Sequence, residues 1–142
     1  MSSKKIIILG GTGAIGSSLA TELKQQQYEP ILISRNEDNL KSLAKNLECK
    51  YYVGDVLDSD KIKYIINSLE MSIYGLAYCV GSINLKPLKL AKEEDFIESY
   101  KINTLGAINS IKAAQGSLIE NNGSHLPLTF LNRSLFAQLS IT

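Results

Sequence analysis

Residues 4–9 read Lys-Lys-Ile-Ile-Ile-Leu, two charges followed by four apolar side chains, three of them β-branched. So short and so apolar a run predicts a strand covered on both faces, the habit of parallel sheets. Similar runs recur at Pro30–Ser34, Cys49–Val53, Gly75–Val80 and Leu126–Leu131. Between them the apolar positions fall at helical spacing, over about Ala14–Gln27, Glu37–Leu47, Ser59–Leu69 and the long stretch Lys92–Glu120. Asp58 or Ser59 is placed to cap the third helix, and Asn121-Asn122-Gly123 to stop the last. Strands alternating with helices over short connections predict an α/β fold, a doubly wound parallel sheet with helices on both faces. Right-handed crossovers leave few topologies. The expected one has five strands in the order 3-2-1-4-5, with ligands held at the carboxyl ends of strands one and four, where the order reverses.

Composition narrows the class without changing this picture. The 142 residues fit one domain, residues 1–142, and 44% of them are hydrophobic against 20% charged. A net charge of +1 gives no electrostatic case for nucleic acid or an anionic membrane surface. No apolar run approaches the roughly 20 residues of a membrane span, and Met1-Ser2-Ser3-Lys4-Lys5 leads into too short an apolar run for a signal peptide. Cys49 and Cys79 fall beside or within expected buried strands, which suits thiols rather than a disulfide and a cytoplasmic location. A single histidine, His125, excludes a His-based metal cluster, and no metal site is expected.

The chemistry begins where the first strand ends. Gly10-Gly11-Thr12-Gly13-Ala14-Ile15-Gly16 follows it directly and opens the first helix. Gly11, Gly13 and Gly16 satisfy G-x-G-x-x-G, and Gly10, Gly13 and Gly16 satisfy G-x-x-G-x-x-G. One glycine makes the tight turn, one admits a pyrophosphate close to the backbone, and one lets helix and strand pack closely. The helix N-terminus supplies N–H donors and a partial positive charge. The strand–loop–helix context favours nucleotide binding over a purely structural turn. A P-loop is the rival reading, but Ser17-Ser18 stands where it needs Lys-Ser/Thr.

The second strand ends Ile33-Ser34-Arg35-Asn36. An NAD site usually places a carboxylate near this point, on the ribose 2′-hydroxyl. A guanidinium there suits a 2′-phosphate instead, through forked, charge-assisted hydrogen bonds, and Ser34 adds a hydroxyl donor. The expected cofactor is therefore NADP, with NAD possible. A plain solvated loop arginine is the alternative at Arg35.

Taken together these residues resemble the short-chain dehydrogenase/reductase family, whose N-terminal, Rossmann-like portion the chain matches along nearly its whole length. The glycine segment is similar to the family's T-G-x-x-x-G-x-G loop, with Leu9 for the threonine and Ala14 for one glycine. It is equally similar to the T-G-x-x-G-x-x-G form, again except for Leu9. The resemblance implies that Gly10, Thr12, Gly13, Ile15 and Gly16 hold the pyrophosphate. Asp55-Val56 resembles the pair that receives the adenine, and Cys79-Val80-Gly81 stands at the family's Asn-Ala-Gly, with Gly81 beside the ribose and Cys79 departing from the asparagine. Phe96–Asn109 resembles the family's fourth helix, which places Asn103 at the asparagine of the Asn-Ser-Tyr-Lys tetrad, where it distorts the helix and holds a water. Asn132-Arg133-Ser134 makes Ser134 the candidate catalytic serine.

The implied reaction is hydride transfer between NADP(H) and a carbonyl or alcohol. The family's base is a tyrosine in Y-x-x-x-K, and none of the seven tyrosines here has a lysine four residues on. A free phenol titrates near pH ~10 and is a poor base at neutrality without that lysine. The domain is incomplete relative to the family, and its apolar last eight residues, Leu135–Thr142, look like a chain cut short by an early stop or frameshift. The chain alone is expected to keep cofactor binding without turnover and to act on a small carbonyl or alcohol only if completed. The alternatives are a non-catalytic dinucleotide- or partner-binding module and an inactive fragment. The fourth helix also implies a possible homo-oligomer.

Overall fold

The computed structural model describes residues 4–69, 73–82 and 85–120, and the backbone of 128–129 and 138–139. Strands β1 (Lys5–Leu9), β2 (Glu29–Ser34), β3 (Lys50–Val53) and β4 (Ile73–Tyr78) form one parallel sheet in the order β3-β2-β1-β4. Helices α1 (Ala14–Gln25), α2 (Glu37–Leu47) and α3 (Ser59–Ser68) fill the first three crossovers. After β4 come a 3₁₀ turn at Leu88–Leu90, α4 (Glu93–Tyr100) and α5 (Gly106–Glu120).

The apolar run of β1 is explained by its place in the middle. Ile6 and Ile8 join a core with Leu32, Ala20 of α1, and Leu40 and Ala44 of α2. Ile7 and Leu9 join a second core with Ile31, Ile33, the isoleucines of α3, and Ala107 and Ala114 of α5. Successive side chains therefore meet opposite helical layers, and a polar residue on either face would be stranded. Each fully buried isoleucine contributes about 1.5–3 kcal/mol. Asn36 caps α2 by accepting the Asn39 N–H at 2.9 Å, and Asp58, one of the two residues expected, caps α3 through the Lys61 N–H at 3.0 Å. Among the described residues no helix is long and apolar enough to cross a membrane.

Three expectations need correction. The fifth strand is not part of this sheet: within its span the described backbone is β5 (Leu128–Thr129), which pairs antiparallel with β6 (Gln138–Leu139) in a separate two-stranded sheet. The order observed is thus 3-2-1-4. Second, β4 begins and ends two residues earlier than the apolar pattern indicates, because its partner β1 stops at Leu9, opposite Tyr78. Third, the single long helix expected over Lys92–Glu120 is interrupted by a π-helical turn at Lys101–Leu105, between α4 and α5, and this turn contains Asn103, where the resemblance implies a distortion.

Candidate dinucleotide site

β1 ends at Leu9, and the chain must turn at once into α1. Gly10 makes that turn with φ +79°, and a Cβ there would lie 2.7 Å from the carbonyl oxygen of Cys79. The Gly10 N–H donates to the Ile33 carbonyl at 2.8 Å, and the Gly11 N–H to the same oxygen at 3.3 Å. The loop is thus tied to the end of β2. Gly16, in the first turn of α1, is backed so closely onto the Gly10 carbonyl that any Cβ would overlap it. The N-cap of α1 is Gly13, which offers no side-chain acceptor. The N–H groups of that first turn have no intrahelical partner, so they are available to an anion.

The ends of β2 and β3 form the next wall. The Ser34 and Thr12 hydroxyls lie 2.8 Å apart and join β2 to the glycine loop. Arg35 Nη1 stands 4.0 Å from Asp55 Oδ2, with the two side chains 77% and 39% exposed. At that exposure the pair adds little stability, so its interest is where it leaves the guanidinium. Asp55 Oδ1 accepts the Leu57 N–H at 2.9 Å, which orients the carboxylate at the start of the loop into α3.

The third wall is the segment after β4. Asn103 lies inside the π turn, and its side chain grips Ser82 at both ends: Oδ1 accepts the Ser82 N–H at 2.8 Å, and Nδ2 donates to the Ser82 carbonyl at 2.9 Å. Gly81 is exposed beside it, and a Cβ there would meet only Asn103 Oδ1, at 3.6 Å. Burial pushes the Cys79 thiol up to about 11. Burial, and next the Asp55 carboxylate, push the Tyr78 phenol well above its usual value. The Tyr78 hydroxyl keeps its proton and donates a hydrogen bond to the Ile102 carbonyl.

A raised thiol pKa means that the folded state holds its proton to higher pH than the unfolded chain does. The contribution of Cys79 is then complete below pH ~8.5, the reference thiol value, and is lost as pH rises toward about 11. Thermal melts from pH 8 to 11 are expected to fall less steeply for Cys79→Ala than for the parent. Parallel slopes would count against a buried thiol at this position.

These walls enclose a cleft of about 460 Å³ at the carboxyl ends of the strands. Of the expected cofactor residues it brings together Gly10, Thr12, Gly13, Ser34, Arg35, Asp55, Val56, Cys79 and Gly81. Gly16 sits behind the loop and Ile15 is 47% exposed on α1, so neither lines the cleft. Asn103 borders it through Ser82. Ser134 lies outside the described residues. Gly54, Leu57, Ser82, Glu98 and Ile102, which no sequence motif marks, also line the cleft, and Tyr78 supports it. The only signal for Gly54 was a glycine directly after an apolar run. A second hollow, about 540 Å³, opens near Lys24, Glu29 and Cys49 at the other ends of β2 and β3, but Lys24 is engaged there by the Glu48 carbonyl at 3.0 Å.

Residues 4–126 match the family model described as short chain dehydrogenase. Carbonyl reductase family member 4 of Danio rerio is 25% identical over 128 residues, covering 86% of this chain and 54% of that protein. The chain therefore spans about half the length of this curated relative. An alcohol dehydrogenase from the archaeon Thermococcus sibiricus, complexed with 5-hydroxy-NADP, superposes with a TM-score of 0.81 at 24% identity, over 86% of this chain and 56% of that one. The actinorhodin polyketide ketoreductase with NADPH gives 0.78 at 18% identity, over 84% and 49%. At such identities these two structures speak for the fold alone. The family match extends over most of the chain and the fold agrees with it, so the chain belongs to the short-chain dehydrogenase/reductase family.

Proposed function

We propose that this chain is the dinucleotide-binding part of an NADP(H)-dependent short-chain oxidoreductase, and that residues 1–142 by themselves bind the dinucleotide without turning over a substrate. The observation that carries the reading is the convergence of the glycine turn, Arg35, Asp55 and Gly81 on one cleft from four strand ends. The fit is chemical as well as spatial. Gly10 and Gly16 leave backbone where a Cβ would collide, and the first turn of α1 presents uncapped donors.

In this reading Gly10, Thr12, Gly13, Ile15 and Gly16 form the pyrophosphate cradle, with Gly16 acting from behind by letting α1 approach. Ser34 and Arg35 take the 2′-phosphate, Asp55 and Val56 the adenine, and Cys79 and Gly81 the ribose. Asn103 acts by holding the Ser82 backbone, which sets the position of the Gly81 wall. A bound nicotinamide dinucleotide supplies the hydride that a carbonyl accepts, or takes it from an alcohol. Proton transfer to the carbonyl oxygen needs an acid, and Tyr78, buried next to Cys79 of the cleft, has a raised pKa and no lysine four residues on. Ser134 completes the proposed catalytic set. A cytoplasmic location belongs to the same reading, supported by two free, part-buried thiols, Cys49 and Cys79. So does pairing through the fourth helix, where Phe96, Ile97 and Tyr100 of α4 are 58%, 43% and 53% exposed.

Titration of the purified chain with NADPH and NADH tests this. Ligand at 100 times its Kd stabilises a fold by about 2.7 kcal/mol, a rise of roughly 5–15 °C in Tm for a domain of this size. NADPH is expected to give the larger rise, with no consumption of NADPH when simple aldehydes and ketones are added. Sedimentation of the same samples reads the oligomeric state. Turnover by the chain alone would remove the non-catalytic part of the proposal, and absence of binding by either nucleotide would remove the rest.

A further inference from the structure

Tyr78 is the last residue of β4, it is buried, and its hydroxyl donates to the carbonyl of Ile102. That carbonyl belongs to the π turn, in which the regular i→i−4 ladder is interrupted and carbonyls are released to other partners. The hydroxyl occupies a niche that exists because residue 106 is glycine: a Cβ at Gly106 would overlap Tyr78 Oη and come within 3.3 Å of Val56. One step along the π turn, Asn103 grips Ser82 through both of its backbone groups. Tyr78 therefore stands where three elements beside the cleft meet, namely the end of β4, the π turn, and the Asp55–Val56 loop.

We propose that Tyr78 is a positioning residue: its hydroxyl, seated over Gly106 and bonded to Ile102, holds the π turn in the register that aims Asn103 at Ser82, and so sets the wall of the cleft beside Gly81. The effect on nucleotide affinity rests on the dinucleotide reading above, while the effect on Asn103 and Ser82 does not. The hydroxyl is suited to the task because burial and the nearby Asp55 carboxylate keep it protonated well above neutral pH. The positioning contact should consequently be independent of pH from 6 to 9.

The test compares Tyr78→Phe with Ile73→Val, a core change at the opposite end of the same strand. Two readouts need no ligand: amide hydrogen exchange at Ser82 and the side-chain NH₂ resonances of Asn103. Tyr78→Phe is expected to speed exchange at Ser82 by about tenfold and to move the Asn103 NH₂ signals toward solvent-exposed values, at an equal fall in Tm from the two variants. NADPH affinity should fall by about tenfold in Tyr78→Phe and stay near the parent value in Ile73→Val. Gly106→Ala, whose Cβ would overlap the Tyr78 hydroxyl, is expected to be strongly destabilised, and combining it with Tyr78→Phe removes that overlap and should restore folding without restoring Ser82 protection. If Ser82 and Asn103 respond identically in Tyr78→Phe and Ile73→Val, the positioning role is overturned. If they respond as expected but the parent binds no nucleotide, the positioning role stands and the dinucleotide reading fails.

Discussion

Gly16→Ala is expected to abolish measurable NADPH binding and to lower Tm by about 10 °C. The added Cβ would overlap the Gly10 carbonyl oxygen and lie 2.9 Å from the Gly10 carbonyl carbon and 3.0 Å from Gly11 Cα. All three are backbone atoms of a loop already tied to Ile33, so none can swing aside as a side-chain tip would. The helix must withdraw instead, at an overpacking cost of roughly 1–3 kcal/mol, which for a domain of this size corresponds to several degrees up to about 10 °C. Withdrawal also carries the first-turn N–H groups away from the place proposed for the pyrophosphate. Losing two charge-assisted hydrogen bonds at ~1.5–3 kcal/mol each weakens binding by at least ~100-fold. Gly13→Ala in the same loop is the contrast. Its Cβ would come no closer than 3.4 Å to the Gly10 carbonyl, so stability should change by less than ~1 kcal/mol. Calorimetric melts and fluorescence titrations of the pair check both halves. Equal behaviour of the two variants would mean that close approach of α1 to the loop does not govern the cleft.

Arg35→Ala is expected to weaken NADPH by ~10–100-fold while leaving NADH within ~3-fold, because a guanidinium–phosphate contact contributes ~1.5–3 kcal/mol and only one of the two nucleotides carries the phosphate. Stability should hardly move: the Arg35–Asp55 pair spans 4.0 Å with the arginine 77% exposed, and such pairs contribute about 0–1 kcal/mol. Arg35→Lys should recover part of the loss, since the charge is kept and the fork is not. The NADPH advantage should also shrink as salt rises, because the site is exposed and screening is effective there. A parallel loss of NADPH and NADH affinity in Arg35→Ala would mean that the guanidinium supports the adenosine side of the cleft generally and does not select for the 2′-phosphate.

The layout of the sheet was legible in the sequence because it depends on periodicity. Ile6 to Leu9 had to be apolar at every position once β1 lay between two helical layers, and that continuous run is visible without coordinates. The glycine turn was legible for a similar reason. A positive φ at Gly10 and a missing Cβ at Gly16 are demands on a single residue type, so the demand appears directly as that type. Arg35 and Asp55 were readable from their distance past strand ends, although the 4.0 Å between them was not.

What escaped the sequence depends on contacts between distant elements. The end of β4 is set by where β1 runs out of pairing partners, not by where the apolar residues stop. A fifth strand was expected from a composition that suits a strand in any sheet, and composition cannot say which strand will be its neighbour. By periodicity the π turn looks like ordinary helix, because one extra residue within a long helical run leaves the apolar spacing nearly unchanged, and only the family resemblance at Asn103 marks a distortion there. The contacts that hold it, Tyr78 under the Ile102 carbonyl and Asn103 on Ser82, join residues 24 and 21 apart along the chain and are visible only in the fold. Alone, then, the sequence determined the order of elements, the faces they bury and the backbone turn that a phosphate would need, since each is a local constraint on residue type. The tertiary structure decided the strand ends, the contacts that hold the π turn and the shape of the cleft beside Gly81, since each is settled by which distant groups satisfy one another's hydrogen bonds.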